Sequence, residues 1–177
     1  MKSKAFILIV VIVAVLIAAG WWFTRPASPS GTASISHNGL DVSVSYSRPY
    51  KKGRVIFGDA STGALQPNGQ YWRMGANAAT EITINKDVNF AGKPLKAGTY
   101  RIYAVPGPGT WQIFLNSELG KSGSESPNKE LDVLNVGVPS TEVSTTVEQF
   151  TIEFAPAGAG VVMKLMWDRT EVAVEIS

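Results

Sequence analysis

The sequence predicts an all-β domain, an antiparallel β-sandwich or jelly-roll-like double sheet of about nine or ten strands, preceded by one N-terminal transmembrane helix. Three observations carry this. Of the 19 residues from Ala5 to Phe23, 18 are apolar, the exception being Gly20. From residue 31 onward almost every apolar run alternates with period two, the spacing of a strand with one buried face. Turn-forming clusters of Gly, Pro, Asn and Ser separate the runs, and no amphipathic helix of three turns competes.

The N-terminal run comes first. At about 1.5 Å per residue it makes a helix of roughly 28 Å, close to the hydrocarbon thickness of a bilayer. Lys2 and Lys4 precede it and only Arg25 soon follows, so the positive-inside bias places the N-terminus in the cytoplasm and the rest of the chain outside. Trp21, Trp22 and Phe23 stand where an interfacial aromatic belt belongs. A cleaved secretory signal, with Ala18 and Gly20 as its small-residue pair, is the alternative and would give a secreted protein. Residues 1–24 are therefore read as anchor or signal, 25–31 as a Pro/Ser/Gly tether, and 32–177 as an extracytoplasmic β domain.

Within the domain, Leu40, Val42, Val44 and Tyr46 alternate with Asp41, Ser43 and Ser45 in the clearest strand. Further strands are predicted at Arg54–Phe57, Tyr71–Met74, Glu81–Ile84, Tyr100–Val105, Trp111–Leu115, Val133–Val138, Val147–Phe154, Val161–Trp167 and Val172–Ile176. Hairpin turns are expected at Pro106–Thr110, Ala155–Gly160 and Asp168–Thr170, which makes neighbouring strands antiparallel. Asn116–Glu130 is polar, rich in Ser, Gly and Lys, and long for a connection. It reads as a mobile surface loop, with a lid over a site as the second reading.

Composition excludes several chemistries. With no cysteine there is no disulfide, no Cys-ligated metal and no thiol nucleophile. His37, the only histidine, allows no multi-histidine metal site within one chain, and in SHNG it reads as a turn residue. No cofactor is implied, and Gly120–Ser122 lacks the earlier glycine and following helix of a phosphate-binding P-loop. The net charge of +2 misdescribes the domain: beyond residue 30 there are 13 basic and 14 acidic side chains. They divide unevenly, nine basic and four acidic in 31–101 against four and ten in 102–177. Nucleic acid is a poor partner for such a balance, whereas Arg48, Lys51, Lys52 and Arg54 together suit an anion.

The richest constellation spans Tyr46–Gly58 and Tyr71–Ile82. Arg48 shares the phase of Leu40 through Tyr46, so a persisting strand turns its guanidinium toward the core, where it needs a partner. Glu81, with Arg73, Asn77 and Thr80 close by in sequence, is the expected partner, and a buried network fixing strand register is the structural reading. In the functional reading Arg48, Arg54 and Arg73 supply planar donors for a carboxylate, phosphate or sulfate, with Trp72 and Tyr71 as flat walls. The predicted ligand-binding set is Arg48, Arg54, Trp72, Arg73, Asn77, Thr80 and Glu81.

At these residues the sequence resembles a bacterial envelope family known as domain of unknown function 2911. YSRPYKKGRVIFG, WRMGANAATEITINKDVNFAGKPLKAGTYRIYAVPG and WQIFLN carry the resemblance, from about Ile35 to Phe154. The signature falls on Arg48, Pro49, Gly53, Arg54, Phe57, Gly58, Trp72, Arg73, Gly75, Asn77 and Thr80. It implies a secreted or envelope β domain and no established activity; the polar stretch after Asn116 departs from the more aromatic pattern expected of relatives. The leading expectation is a membrane-anchored, non-enzymatic module binding an anionic small molecule, a glycan or an envelope protein. The alternatives are a structural assembly protein and a hydrolase or lyase using Glu81 or Asp132 with His37.

Overall fold

The computed structural model describes residues 6–7, 10–16 and 28–177. The first two stretches are helical; the rest of the predicted anchor, and residues 25–27 of the tether, lie outside the described residues. Among the described residues no helix is long and apolar enough to cross a membrane.

The remainder is mostly antiparallel β. The strands are β1 (Ser30–His37), β2 (Leu40–Ser47), β3 (Phe57–Gly58), β4 (Gln66–Pro67), β5 (Thr80–Ile84) and β6 (Val88–Phe90). Then come β7 (Lys93–Leu95), β8 (Gly98–Val105), β9 (Thr110–Asn116), β10 (Asp132–Ala157) and β11 (Gly160–Ile176). Nine of them form one sheet in the order β1-β2-β5-β8-β9-β10-β11-β6-β7, and β3 and β4 form a small parallel pair. Irregular stretches interrupt it between β2 and β5 and between β9 and β10. Where the sequence suggested two separate sheets, a single sheet folds over on itself.

β10 makes the fold possible. Its first part pairs with β9 as far as Pro139↔Thr110, and from Ser140 onward it pairs with β11. Register shifts on either side of Val147 bend it between the two layers, the usual effect of bulges. The layers meet through Tyr46, whose hydroxyl accepts from the Ile152 amide at 3.0 Å and whose ring lies edge-on to Phe150 at 5.5 Å. An aromatic cluster of Phe57, Trp72, Trp111, Phe150 and Trp167 fills one region of the core.

Several expectations need correction. Val133–Val138 and Val147–Phe154 are one strand, as are Val161–Trp167 and Val172–Ile176, so Asp168–Thr170 is not a hairpin turn. Asp168 instead takes a left-handed backbone conformation inside β11 (φ 55°), a local irregularity that mimics a turn signal in sequence. Arg54–Ile56 and Tyr71–Met74 lie outside the named strands, Trp72 making only an isolated bridge to Ala104. β1 begins two residues inside the predicted tether and closes on β2 through Asn38–Gly39, both at positive φ, as a two-residue hairpin requires.

Candidate functional site

Two chain segments of irregular backbone face each other beside the aromatic cluster. In the first, Lys52 (φ 49°) and Gly53 (φ 70°) reverse the chain. Arg54 folds back over the turn, its guanidinium donating to the carbonyls of Lys51, at 2.9 Å, and Tyr50. Lys51 ties the turn to β11 through an ion pair with Asp168 at 2.7 Å. In the second, Met74 (φ 52°), Gly75 (φ 153°) and Asn77 (φ 58°) bulge outward ahead of β5. Thr80 holds this bulge by donating to the Met74 carbonyl at 2.8 Å. Only glycine fits at 75, because a Cβ there would stand 2.8 Å from the Ser47 carbonyl oxygen.

Between them opens a cleft of about 360 Å³ lined by Ser28, Pro49, Lys52, Arg54, Leu65, Gln66, Arg73, Gly75, Ala76, Asn77 and Trp167. Its charged lining is three cations and no acid. Arg73 has no hydrogen-bond or ion-pair partner among the described residues, and Glu148 meets Lys52 only by accepting from its backbone amide at 2.8 Å. The Trp167 indole N–H is buried without an acceptor among the described residues. Six described non-glycine residues have positive φ. Asn38 and Ala91 belong to two-residue hairpin turns; the other four, Lys52, Met74, Asn77 and Asp168, line the cleft or adjoin a lining residue. Strained backbone gathers where side chains must be held in place against local preference.

A second polar cluster lies on the outer face of the sheet. Cross-strand register places Glu81, Arg101, Asn116 and Asp132 in one row on β5, β8, β9 and β10. The 117–131 segment covers that row as a strap. Gly120 donates its amide to Glu81 at 2.8 Å, the Ala79 amide donates to the Lys121 carbonyl, and the Gly123 amide donates to the Asn77 carbonyl. Arg101, 1% exposed, donates to the Tyr71 hydroxyl at 2.8 Å and to the Glu125 carbonyl, with the Glu118 carboxylate at 3.5 Å. Tyr103 donates to Asp132 at 2.7 Å, and Asn116 donates to the same carboxylate at 2.8 Å. Burial first, and then the bond to Asp132, push the Tyr103 phenol well above its ordinary range.

Of the predicted ligand set, Arg54, Arg73 and Asn77 line the cleft. Trp72 is buried in the aromatic cluster, and Thr80 is spent on Met74. The expected Arg48–Glu81 network is not formed. β2 ends at Ser47, so the phase that would turn Arg48 inward is lost. Its stem instead crosses Gly31, and its guanidinium reaches the Phe150 carbonyl and the Thr151 hydroxyl at 3.4 and 3.2 Å. Arg48 thus ties β1, β2 and β10 together. Tyr71 belongs to the strap cluster, donating to the Gly123 carbonyl at 3.1 Å. His37 closes β1 beside the start of β2: it pairs with Leu40 while Glu81 pairs with Ser45, about 17 Å further along β2.

Sequence reasoning missed Lys52 as a cleft residue distinct from Lys51, and missed Arg101 altogether. The available signal for Arg101 was Tyr103, a large aromatic side chain two residues along on the same face, which alternation alone does not mark as covered.

Residues 28–176 match the family model described as "Protein of unknown function (DUF2911)". The chain belongs to this family. No curated protein and no solved structure matches it. Of the DUF2911 signature positions named above, Pro49, Arg54, Arg73, Gly75 and Asn77 line the cleft. Arg48, Trp72 and Thr80 support its walls or the layers behind it.

Proposed function

We propose that this DUF2911 chain is a membrane-anchored, extracytoplasmic, non-enzymatic binding module whose cleft receives an oxyanion: a carboxylate, phosphate or sulfate. The observation that carries the reading is the lining itself, in which Lys52, Arg54 and Arg73 converge with no acid among them. Like charges gathered without a counter-charge repel one another, and an arriving anion relieves that repulsion. Guanidinium groups match the planar or tetrahedral oxygens of such a ligand. A cleft of about 360 Å³ lies near the lower end of the usual range for ligand sites, roughly 300–1,000 Å³, and suits one charged group with a small body attached. The outside location rests on Lys2 and Lys4 preceding the apolar run. An acid–base enzyme has less in its favour, because His37 lies along the sheet from Glu81 and no hydrogen bond links it to Glu81 or Asp132.

Thermal melting of the full chain in detergent, with a uronic acid, a phosphosugar or a sulfated glycan added, tests the reading. At least one should raise the melting temperature, the rise should shrink with salt, and Arg54→Ala and Arg73→Ala should abolish it. If no anion shifts the melt, or if the variants keep the shift, the cleft is not an anion site and a structural assembly role takes its place.

A further inference from the structure

We propose that the oxyanion is the phosphate of an anionic lipid headgroup on the outer surface of the membrane that holds the chain's own apolar segment. This rests on the anchored, anion-binding reading above and names its ligand.

The first ground is reach. Ser28 lines the cleft, and its carbonyl accepts from the Asn77 side chain at 3.2 Å. Phe23, the last residue of the apolar run, is five residues earlier. Five residues extend at most about 18 Å, so an anchored chain cannot carry the cleft further than that from the end of its span. The second ground is charge: the lining that Ser28 joins carries three cations and no acid. Anionic headgroups at the membrane surface carry phosphate at high local density.

The third ground is the surface next to the cleft. Tyr50, Val55 and Leu65 are 36%, 48% and 37% exposed, large apolar side chains left in water on the same two segments that carry Arg54 and Gln66. Leu65 belongs to the lining itself, and its amide donates to the Val55 carbonyl at 3.0 Å. A soluble anion gives no reason for such a rim. A bilayer surface does, because apolar side chains enter the acyl boundary while neighbouring cations hold phosphate.

The chain has no cysteine, so a single Val55→Cys variant carries an environment-sensitive fluorophore at one known place. The labelled full chain is reconstituted into vesicles of phosphatidylcholine alone or with added phosphatidylglycerol. The expected result is a blue shift with phosphatidylglycerol only, reduced by salt and lost in Arg54→Ala, Arg73→Ala and Lys52→Asn. The last of these keeps a residue suited to the left-handed backbone should the arginine variants fold poorly. An emission spectrum equal in the two vesicle types overturns the lipid assignment, as does a blue shift that survives all three substitutions. Melting with glycerol phosphate separates the two readings. An Arg73-dependent rise without a vesicle response overturns the lipid assignment and leaves a soluble-anion cleft; no response to either overturns the lipid assignment, and silence of the uronic acid and the sulfated glycan as well removes both.

Discussion

Arg73 and Arg101 touch the same strap two residues apart, Arg73 against Gly123 and Arg101 at the Glu125 carbonyl, yet they stand in opposite electrostatic settings. Arg101 is sealed beneath the strap with the Glu118 carboxylate and the Tyr71 hydroxyl as partners. Arg73 opens into a cleft whose charged walls are all cationic. A buried guanidinium stripped of water needs its neighbours, so Arg101 is spent on holding the strap down. A guanidinium at an open surface keeps its hydration and can exchange it for a ligand. The two arginines differ in their cover and in the acids beside them.

The largest effect should come from the covered side. Arg101→Ala empties a buried site and removes the bonds to Tyr71 and the Glu125 carbonyl. It leaves Glu118, 22% exposed, with Lys121 at 3.6 Å as its remaining cation. The loss should therefore fall toward the lower end of the about 3–5 kcal/mol that breaking a buried pair commonly costs. The melting temperature should fall sharply, and the Gly120 and Gly123 amides should lose protection from hydrogen exchange. Three of the guanidinium's N–H groups, on Nε and Nη1, lack a hydrogen-bond partner among the described residues, which weakens its own net contribution. A variant that melts like the parent would dissolve the contrast between the two arginines.

The strap cluster also has a pH signature. The Tyr103 phenol is raised above its ordinary value, so folding favours its protonated form. That contribution is fully present below about pH 10, where a tyrosine in the unfolded chain is still protonated, and is lost as pH climbs above it. Tyr103→Phe should therefore flatten the alkaline limb of the stability profile. At neutral pH it should cost about 1.5–3 kcal/mol, the usual worth of a hydrogen bond to a charged group. Denaturant melts between neutral pH and pH 11 measure both; an alkaline limb as steep as the parent's would assign the slope to other residues.

The two regions were not equally legible in the sequence. Arg54, Arg73 and Asn77, which line the cleft, lie in stretches where Gly and Pro break periodicity, and irregular backbone is where polar side chains escape the strand pattern. Lys52 was grouped with Lys51, since adjacent lysines look alike until one finds Asp168 and the other turns away at positive φ. Arg101 reads by alternation as a solvated residue on the wet face of β8. Its burial depends on a segment 16 or more residues downstream folding back over the sheet, a long-range event that local patterning does not encode. Arg48 failed for the opposite reason. Alternation was extended one residue beyond the strand's end, and Pro49, unable to donate to a ladder, marks where it stopped. The strands themselves were legible wherever apolar contrast is high, as in β2 and β9. β1 escaped because Ser, Gly, Thr and Ala alternate with too little contrast.

The smallest change in stability and the sharpest test of availability belong together at Lys52. Its side chain is exposed and has no partner among the described residues, and its backbone already adopts a conformation that asparagine tolerates well. Lys52→Asn should therefore leave stability within about 0.5 kcal/mol of the parent, as surface substitutions do. The amide that donates to Glu148 is retained, so the turn keeps its anchor. What is lost is one of three positive charges facing the cleft, and with it part of the attraction for any oxyanion. The anion-dependent rise in melting temperature should shrink while the ligand-free melt stays put. If Lys52→Asn instead lowers the ligand-free melt as Arg101→Ala does, the cleft's cations are holding the fold together. The two regions would then differ in exposure alone and not in role.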